Sequence, residues 1–144
     1  MTDVIIDGNS LYARAWYATC RDFIDVNSAL RSALQTVFSL LNRDVQRLGA
    51  RIDRTLFCWD GDHGRDKGDQ RQEKPPAYHE GRAIIQEVDT YLLGTAHAIP
   101  PAHVADDAVA TAVERSPADE IYVVSGDKDL MQLQCDSVNY FCLN

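Results

Sequence analysis

Six aspartates carry the chemistry this sequence can offer: Asp7, Asp60, Asp106, Asp107, Asp127 and Asp129. They lie in four segments far apart in the chain, and each follows a strand-like run or opens the next helix. Brought together they would repel one another, and such a crowd either takes up protons or holds cations. All-oxygen donors with no His or Cys among them suit a hard ion, Mg²⁺ or Mn²⁺. One or two such ions, about 3.5–4 Å apart when paired, are a common device for phosphodiester hydrolysis, activating water and offsetting charge on the in-line transition state. Any one of these aspartates also fits an ordinary role as a helix N-cap, where Asp is favoured. The coincidence at four junctions is what points to a site, with Asp7 in Asp-Gly-Asn-Ser the strongest single candidate. Asp62 and Asp119 read as solvated surface charges.

Elements that could position these groups follow from the apolar pattern. Residues 3–6, 55–59 and 120–124 are short, apolar and rich in β-branched or aromatic side chains, and read as buried strands; 96–99 and 137–143 read as further strands. Helices are expected at about 11–18, with Asn9 or Ser10 as cap, from Asn27-Ser28 to Leu48 with Gly49 as its stop, and from Tyr78 to Leu93. Shorter helices are expected from Asp106-Asp107 through Val113 and from Leu130 to Leu133. Between about 61 and 77 the chain is polar, with Gly64, Gly68 and Pro75-Pro76, and reads as a loop or mobile arch that buries no core face. Alternating strands and helices imply an α/β fold, a three-layer parallel β-sheet flanked by helices on both faces, in one domain over residues 1–144. In such a sheet the strand-to-helix junctions share one rim, where ligands bind.

The 144 residues are 45 % hydrophobic and 25 % charged, which suits one ordinary globular domain. No apolar run approaches the ~20 residues of a membrane span. The first residues lack a basic segment and a signal-peptide core, so a cytoplasmic protein is expected. Cys20, Cys58, Cys135 and Cys142 have no zinc-site spacing and read as reduced and structural, with a Cys135–Cys142 pairing left open by the sequence. His63, His79, His97 and His103 are scattered and make no cluster. The net charge of −8 is unusual for a nucleic-acid binder, although two divalent ions would bring it to −4. Between Gly61 and Arg82, Arg65, Lys67, Arg71, Lys74 and Arg82 face Asp62, Asp66, Asp69, Glu73 and Glu80, so any basic patch there is local.

Several segments resemble the 5′-nuclease (flap endonuclease) family, whose nuclease domain is PIN-like. The family includes the N-terminal domain of bacterial DNA polymerase I and stand-alone phage 5′-3′ exonucleases. Val4-Ile5-Ile6-Asp7-Gly8-Asn9-Ser10 with Arg14-Ala15-Trp16-Tyr17-Ala18 is similar to the family's opening. Ala105-Asp106-Asp107 and Ser125-Gly126-Asp127-Lys128-Asp129-Leu130 match two further motifs in order, Leu56 to Asp60 matches another metal-site strand, and Arg71, Lys74 and Pro75-Pro76 resemble the arch. The resemblance implies a divalent-metal-dependent 5′-3′ exonuclease or flap endonuclease, acting in replication or repair on DNA with a 5′ end or flap. It implies Asp7, Asp60 and Asp106 near one ion, and Asp127 and Asp129 on another with Asp106 or Asp107 shared. Arg71 and Lys74 would grip the scissile phosphate, Arg14 a second phosphate, and Trp16 or Tyr17 would stack on a base. A monomer is expected.

Two departures stand out. The family places a glutamate where this chain has Val104, which removes a carboxylate from one ion. The family also continues into a helix–turn–helix region with a further metal-site Asp, beyond the point where this sequence ends at Asn144. A PIN-type ribonuclease and a degenerate, non-catalytic nucleic-acid-binding domain share parts of the pattern. The arch-like segment and Ser-Gly-Asp-Lys-Asp favour the DNA 5′-nuclease.

Overall fold

A computed structural model describes residues 1–19, 31, 35, 39, 42–43, 49, 51–61, 76–92, 96–98 and 104–143. The expected arch, with Arg71 and Lys74, lies outside the described residues, as do the apolar positions of the helix expected over 27–48. Within that stretch Arg31, Gln35, Ser39, Asn42 and Arg43 are helical.

Five strands form one parallel sheet: β1 (Thr2–Asp7), β2 (Arg54–Cys58), β3 (Ala96–Ala98), β4 (Glu120–Ser125) and β5 (Val138–Cys142). Their order is β3-β2-β1-β4-β5. Asp3 pairs in register with Arg54 on one side and Ile121 on the other. β1 is central, and Val4, Ile5 and Ile6 are all buried, as a strand covered on both faces requires. Three α-helices are described: α1 (Gly8–Thr19), α2 (Pro76–Leu92) and α3 (Ala105–Arg115), and a 3₁₀ helix runs Lys128–Leu133. The α/β parallel-sheet architecture expected from the sequence is the one observed. No described helix is long and apolar enough to cross a membrane.

The chain divides into two compact units. The first comprises Met1–Leu11, Arg51–Arg71 and Thr95–Asn144. Its core joins Ile5, Cys58, Ile121 and Val123 of the sheet to Ala108 and Val109 of α3, with Leu130 and Val138 completing it. α3 carries Asp106 and Asp107 in its first turn and Arg115 in its last, matching the helix dipole at both ends. The second unit comprises Tyr12–Ala50 and Gln72–Gly94. There Tyr12, Trp16 and Tyr78 form an aromatic cluster with ring centroids 4.9 to 6.1 Å apart, and the Tyr12 hydroxyl donates to the Tyr78 carbonyl at 2.9 Å.

Candidate active site

Strand order locates the site before any side chain is considered. From β1 the chain passes to β2 on one side; from β4 it passes to β5 on the other. The carboxyl ends of β1 and β4 therefore flank a topological switch point, where parallel sheets open a crevice for ligands. Asp7 ends β1, Ser125 ends β4, and Asp127 follows two residues later.

Asp7 is only 4 % exposed. Its Oδ1 accepts from the Ser10 amide at 3.0 Å and its Oδ2 from the Ser125 hydroxyl at 2.7 Å. The first contact is an N-cap, so Asp7 starts α1 at Gly8; the start near Leu11 and the Asn9 or Ser10 cap expected from sequence are corrected accordingly. Burial pushes the Asp7 carboxyl up to about 6, and the negative charges of Asp106 and Asp60 push the same way, against the two hydrogen bonds. Asp7, Asp60 and Asp106 are thus in electrostatic reach of one another.

Asp60, just beyond β2, accepts at Oδ1 from the Ala105 amide at 2.8 Å. That bond supplies the cap α3 lacks, because its own N-cap residue is Val104, which has no side-chain acceptor. One oxygen of Asp60 is therefore used to seat the helix that presents Asp106 and Asp107.

Around Ser125 the polar groups interlock. The Ser125 hydroxyl donates to Asp7 and accepts from the Asp127 amide at 2.9 Å. Ser10 Oγ accepts from the Gly126 amide at 2.8 Å, and a Cβ on Gly126 would stand 2.8 Å from that oxygen. Asp127 Oδ1 accepts from the Asp129 amide at 2.9 Å, capping the 3₁₀ helix. From β5 the Tyr140 hydroxyl reaches the carbonyl oxygens of Ser125 at 2.9 Å and Asp127 at 2.8 Å. Burial, with Cys142, Asp127 and Asp7 nearby, pushes this phenol up to about 12, so it stays a donor. Sequence reading saw Ser125 only as part of a motif and gave Tyr140 no role.

The six aspartates do not close into a cage. Among the described residues, no three His, Cys, Asp or Glu side chains stand together as a metal-binding group. The chemistry of the donors still fits a hard cation: the oxygens belong to carboxylates, and the buried one is held with its charge opposed by two others.

The remaining candidates lie in the second unit. Trp16 is 8 % exposed and packs against Tyr12 and Tyr78. Tyr17 is 42 % exposed. Arg14 is half-buried, and its Nη1 is a buried donor without a hydrogen-bond partner among the described residues.

A cavity of about 250 Å³ lies elsewhere, at the amino ends of β1 and β2 beside the end of α3. Its one buried charge, Asp3, is fully engaged by Arg54 and the Ser116 hydroxyl, which hold its carboxyl below the usual range. Cys58, Cys135 and Cys142 are free thiols, and burial pushes Cys58 up to about 12, which leaves it inert.

A bacteriophage T5 protein co-crystallized with metal ions superposes with a TM-score of 0.72 at 16 % identity, covering 99 % of this chain and 55 % of that one. A T5 5′-exonuclease with bound divalent zinc ions gives 0.66 at 20 % identity, again over 99 % and 55 %. A T5 flap endonuclease in a pseudo-enzyme–product complex with DNA and metal ions gives 0.59 at 20 % identity over the same shares. The chain thus spans about half the length of these proteins. No curated protein matches in sequence. Residues 2–143 match the 5′-3′ exonuclease, N-terminal resolvase-like domain, and the chain belongs to that family.

Proposed function

We propose that this chain hydrolyses DNA phosphodiester bonds at a 5′ end or flap, with divalent ions held by the carboxylates at the carboxyl ends of β1, β2 and β4. The observation that carries the reading is Asp7: a buried carboxyl at the switch point, opposed by Asp60 and Asp106 and tied through Ser125 to the Asp127 turn. A buried charge so opposed favours whatever cation can reach it.

Asp7, Asp60 and Asp106 serve one ion; Asp127 and Asp129 serve a second, with Asp106 or Asp107 between them. Bound there, Mg²⁺ or Mn²⁺ supplies the Lewis acidity that activates water and offsets charge on the phosphate. Asp7 accepts from the protein at both oxygens and Asp60 at one, so these residues would hold an ion through their remaining lone pairs. Arg14 offers an unpartnered buried N–H to a phosphate oxygen. Arg71 and Lys74 grip the strand from the segment over 61–77, and the whole acts as a single nuclease domain in replication or repair. The metal ions and DNA in the T5 structures support the same reading.

A direct test incubates the purified chain with 5′-flap DNA and with single-stranded RNA, in Mg²⁺, in Mn²⁺ and in EDTA. Metal-dependent cleavage of the flap, abolished by EDTA and by Asp127→Ala, is the expected result. Preferential cleavage of the RNA would instead assign the site to a ribonuclease, and no cleavage of either would overturn the reading.

A further inference from the structure

Hydroxyl groups that the carboxylate pattern does not disclose surround the switch point. Ser125, Gly126 and Asp127 link β4 to the 3₁₀ helix, and three hydroxyls from three different segments hold this link. Ser10, from α1, takes the Gly126 amide; Ser125 takes the Asp127 amide and reaches Asp7; Tyr140, from β5, shares its one proton between two carbonyl oxygens. The Ser125 carbonyl also accepts from the Leu143 amide at 3.0 Å.

Tyr140 is the one member that holds both ends of the turn. Two carbonyl oxygens turned toward the same point repel each other unless a donor lies between them. The phenol supplies that donor from a β-strand, a rigid element, rather than from the turn itself. Fixing the carbonyls of residues 125 and 127 fixes the peptide planes before Gly126 and after Asp127, and the Asp127 amide on Ser125 Oγ holds the plane between them, so together they set the direction in which the Asp127 side chain leaves the backbone. With Oδ1 committed to the Asp129 amide, Asp127 has one oxygen to present, and its aim depends on that backbone.

We propose that Tyr140 is a positioning residue for the acidic site: its hydroxyl clamps the Ser125–Asp127 turn so that the Asp127 carboxylate is preformed for its ion, in fixed register with Asp7 across Ser125. This rests on the metal-dependent reading above. The serine link carries the coupling between the two strands, and the tyrosine keeps that link in register.

The test compares Tyr140→Phe with the parent and with Tyr122→Phe, whose lost hydroxyl donates to Glu120 at the far end of β4. Two quantities are measured on each: amide hydrogen exchange without metal, and Mn²⁺ affinity by electron paramagnetic resonance of free and bound ion. In Tyr140→Phe, the amides of Gly126, Asp127 and Asp129 should exchange at least tenfold faster, with those of Ile5 and Val123 unchanged. Mn²⁺ binding should weaken about tenfold. Tyr122→Phe should match the parent in both. Unchanged exchange in the turn would overturn the clamp. Faster exchange with parental Mn²⁺ affinity would reduce Tyr140 to a stabilising contact and overturn the positioning role. A parent that binds no Mn²⁺ would sink the metal-dependent reading and this inference with it, a result recognisable because the unmodified chain itself fails.

Discussion

Asp7 is held in two opposed ways. As an N-cap it favours the charged form, which the α1 dipole and the Ser10 amide stabilise. As a buried group beside Asp60 and Asp106 it favours the neutral form, and the balance lifts it from 3.8 to about 6. The folded, metal-free chain therefore keeps a proton that the unfolded chain gives up. Stability from this group is full below pH 3.8 and declines as pH rises toward about 6, the gap being worth ~3 kcal/mol. Asp7→Asn should accordingly be more stable than the parent in EDTA at pH 7.5, by up to ~3 kcal/mol in urea denaturation, and should lose that advantage near pH 4. The same variant should bind Mn²⁺ far more weakly. Equal stability of the two proteins across pH would show that Asp7 is not opposed in the fold. Val104 offers α3 no side-chain cap, and Asp60 lends an oxygen to the first amide of that helix. Val104→Glu should restore a donor at that edge and tighten Mn²⁺ binding about tenfold, measured by the same titration; weaker binding would mean the added charge faces away from the ions.

Between elements, contact distances set what can change. A Cβ on Gly8 would stand 2.4 Å from the Trp59 ring, so the first turn of α1 closes directly on the indole at the end of β2. Gly8→Ala must displace a fully buried ring, at a cost of about 1–3 kcal/mol, and should lower the urea midpoint and the metal affinity together, because Asp7 precedes it. An unchanged midpoint would contradict this packing. Strands β1, β2 and β4 were legible in the sequence to within a residue or so at each end, because their buried apolar runs admit few alternatives. The start of α1 was misjudged by three residues for a physical reason: Asp7 was read as a ligand, and the same carboxylate is the cap. The two roles are compatible, since each oxygen of an ionised carboxylate can accept more than one bond. Trp16 was legible only as aromatic; whether its face is free depends on Tyr78, which is 62 positions along the chain. The hydroxyl lattice around Ser125 left no sequence signal at all. Apart from the Ser125–Asp127 bond its contacts span 13 to 118 positions, and Ser or Tyr at a strand end is too common to read as a support.

At the scale of the whole molecule the difficulty is charge. To act on DNA as proposed, a chain of net charge −8 would have to approach a polyanion, and it matches only about half the length of the T5 proteins it resembles. Bound divalent ions offset part of that charge locally, so DNA affinity should itself rise with metal, beyond any effect on cleavage. The protein's own cations are few. If Arg14, Arg71 and Lys74 are the groups that neutralise phosphates, three counterions are released on binding. Raising monovalent salt from about 50 to 200 mM should then weaken binding to a 5′-flap about 20- to 40-fold. Removing two of the three in an Arg71→Ala, Lys74→Ala double variant should leave one such contact, cutting the same salt response to about threefold. Metal affinity should be untouched, because the carboxylates of the switch point belong to other segments. Fluorescence anisotropy with a labelled flap in Ca²⁺, at four salt concentrations, measures both slopes. A double variant with the parental slope would remove Arg71 and Lys74 from the interface and leave the grip to be sought on the described surface, beginning with the unpartnered Nη1 of Arg14 and the exposed ring of Tyr17.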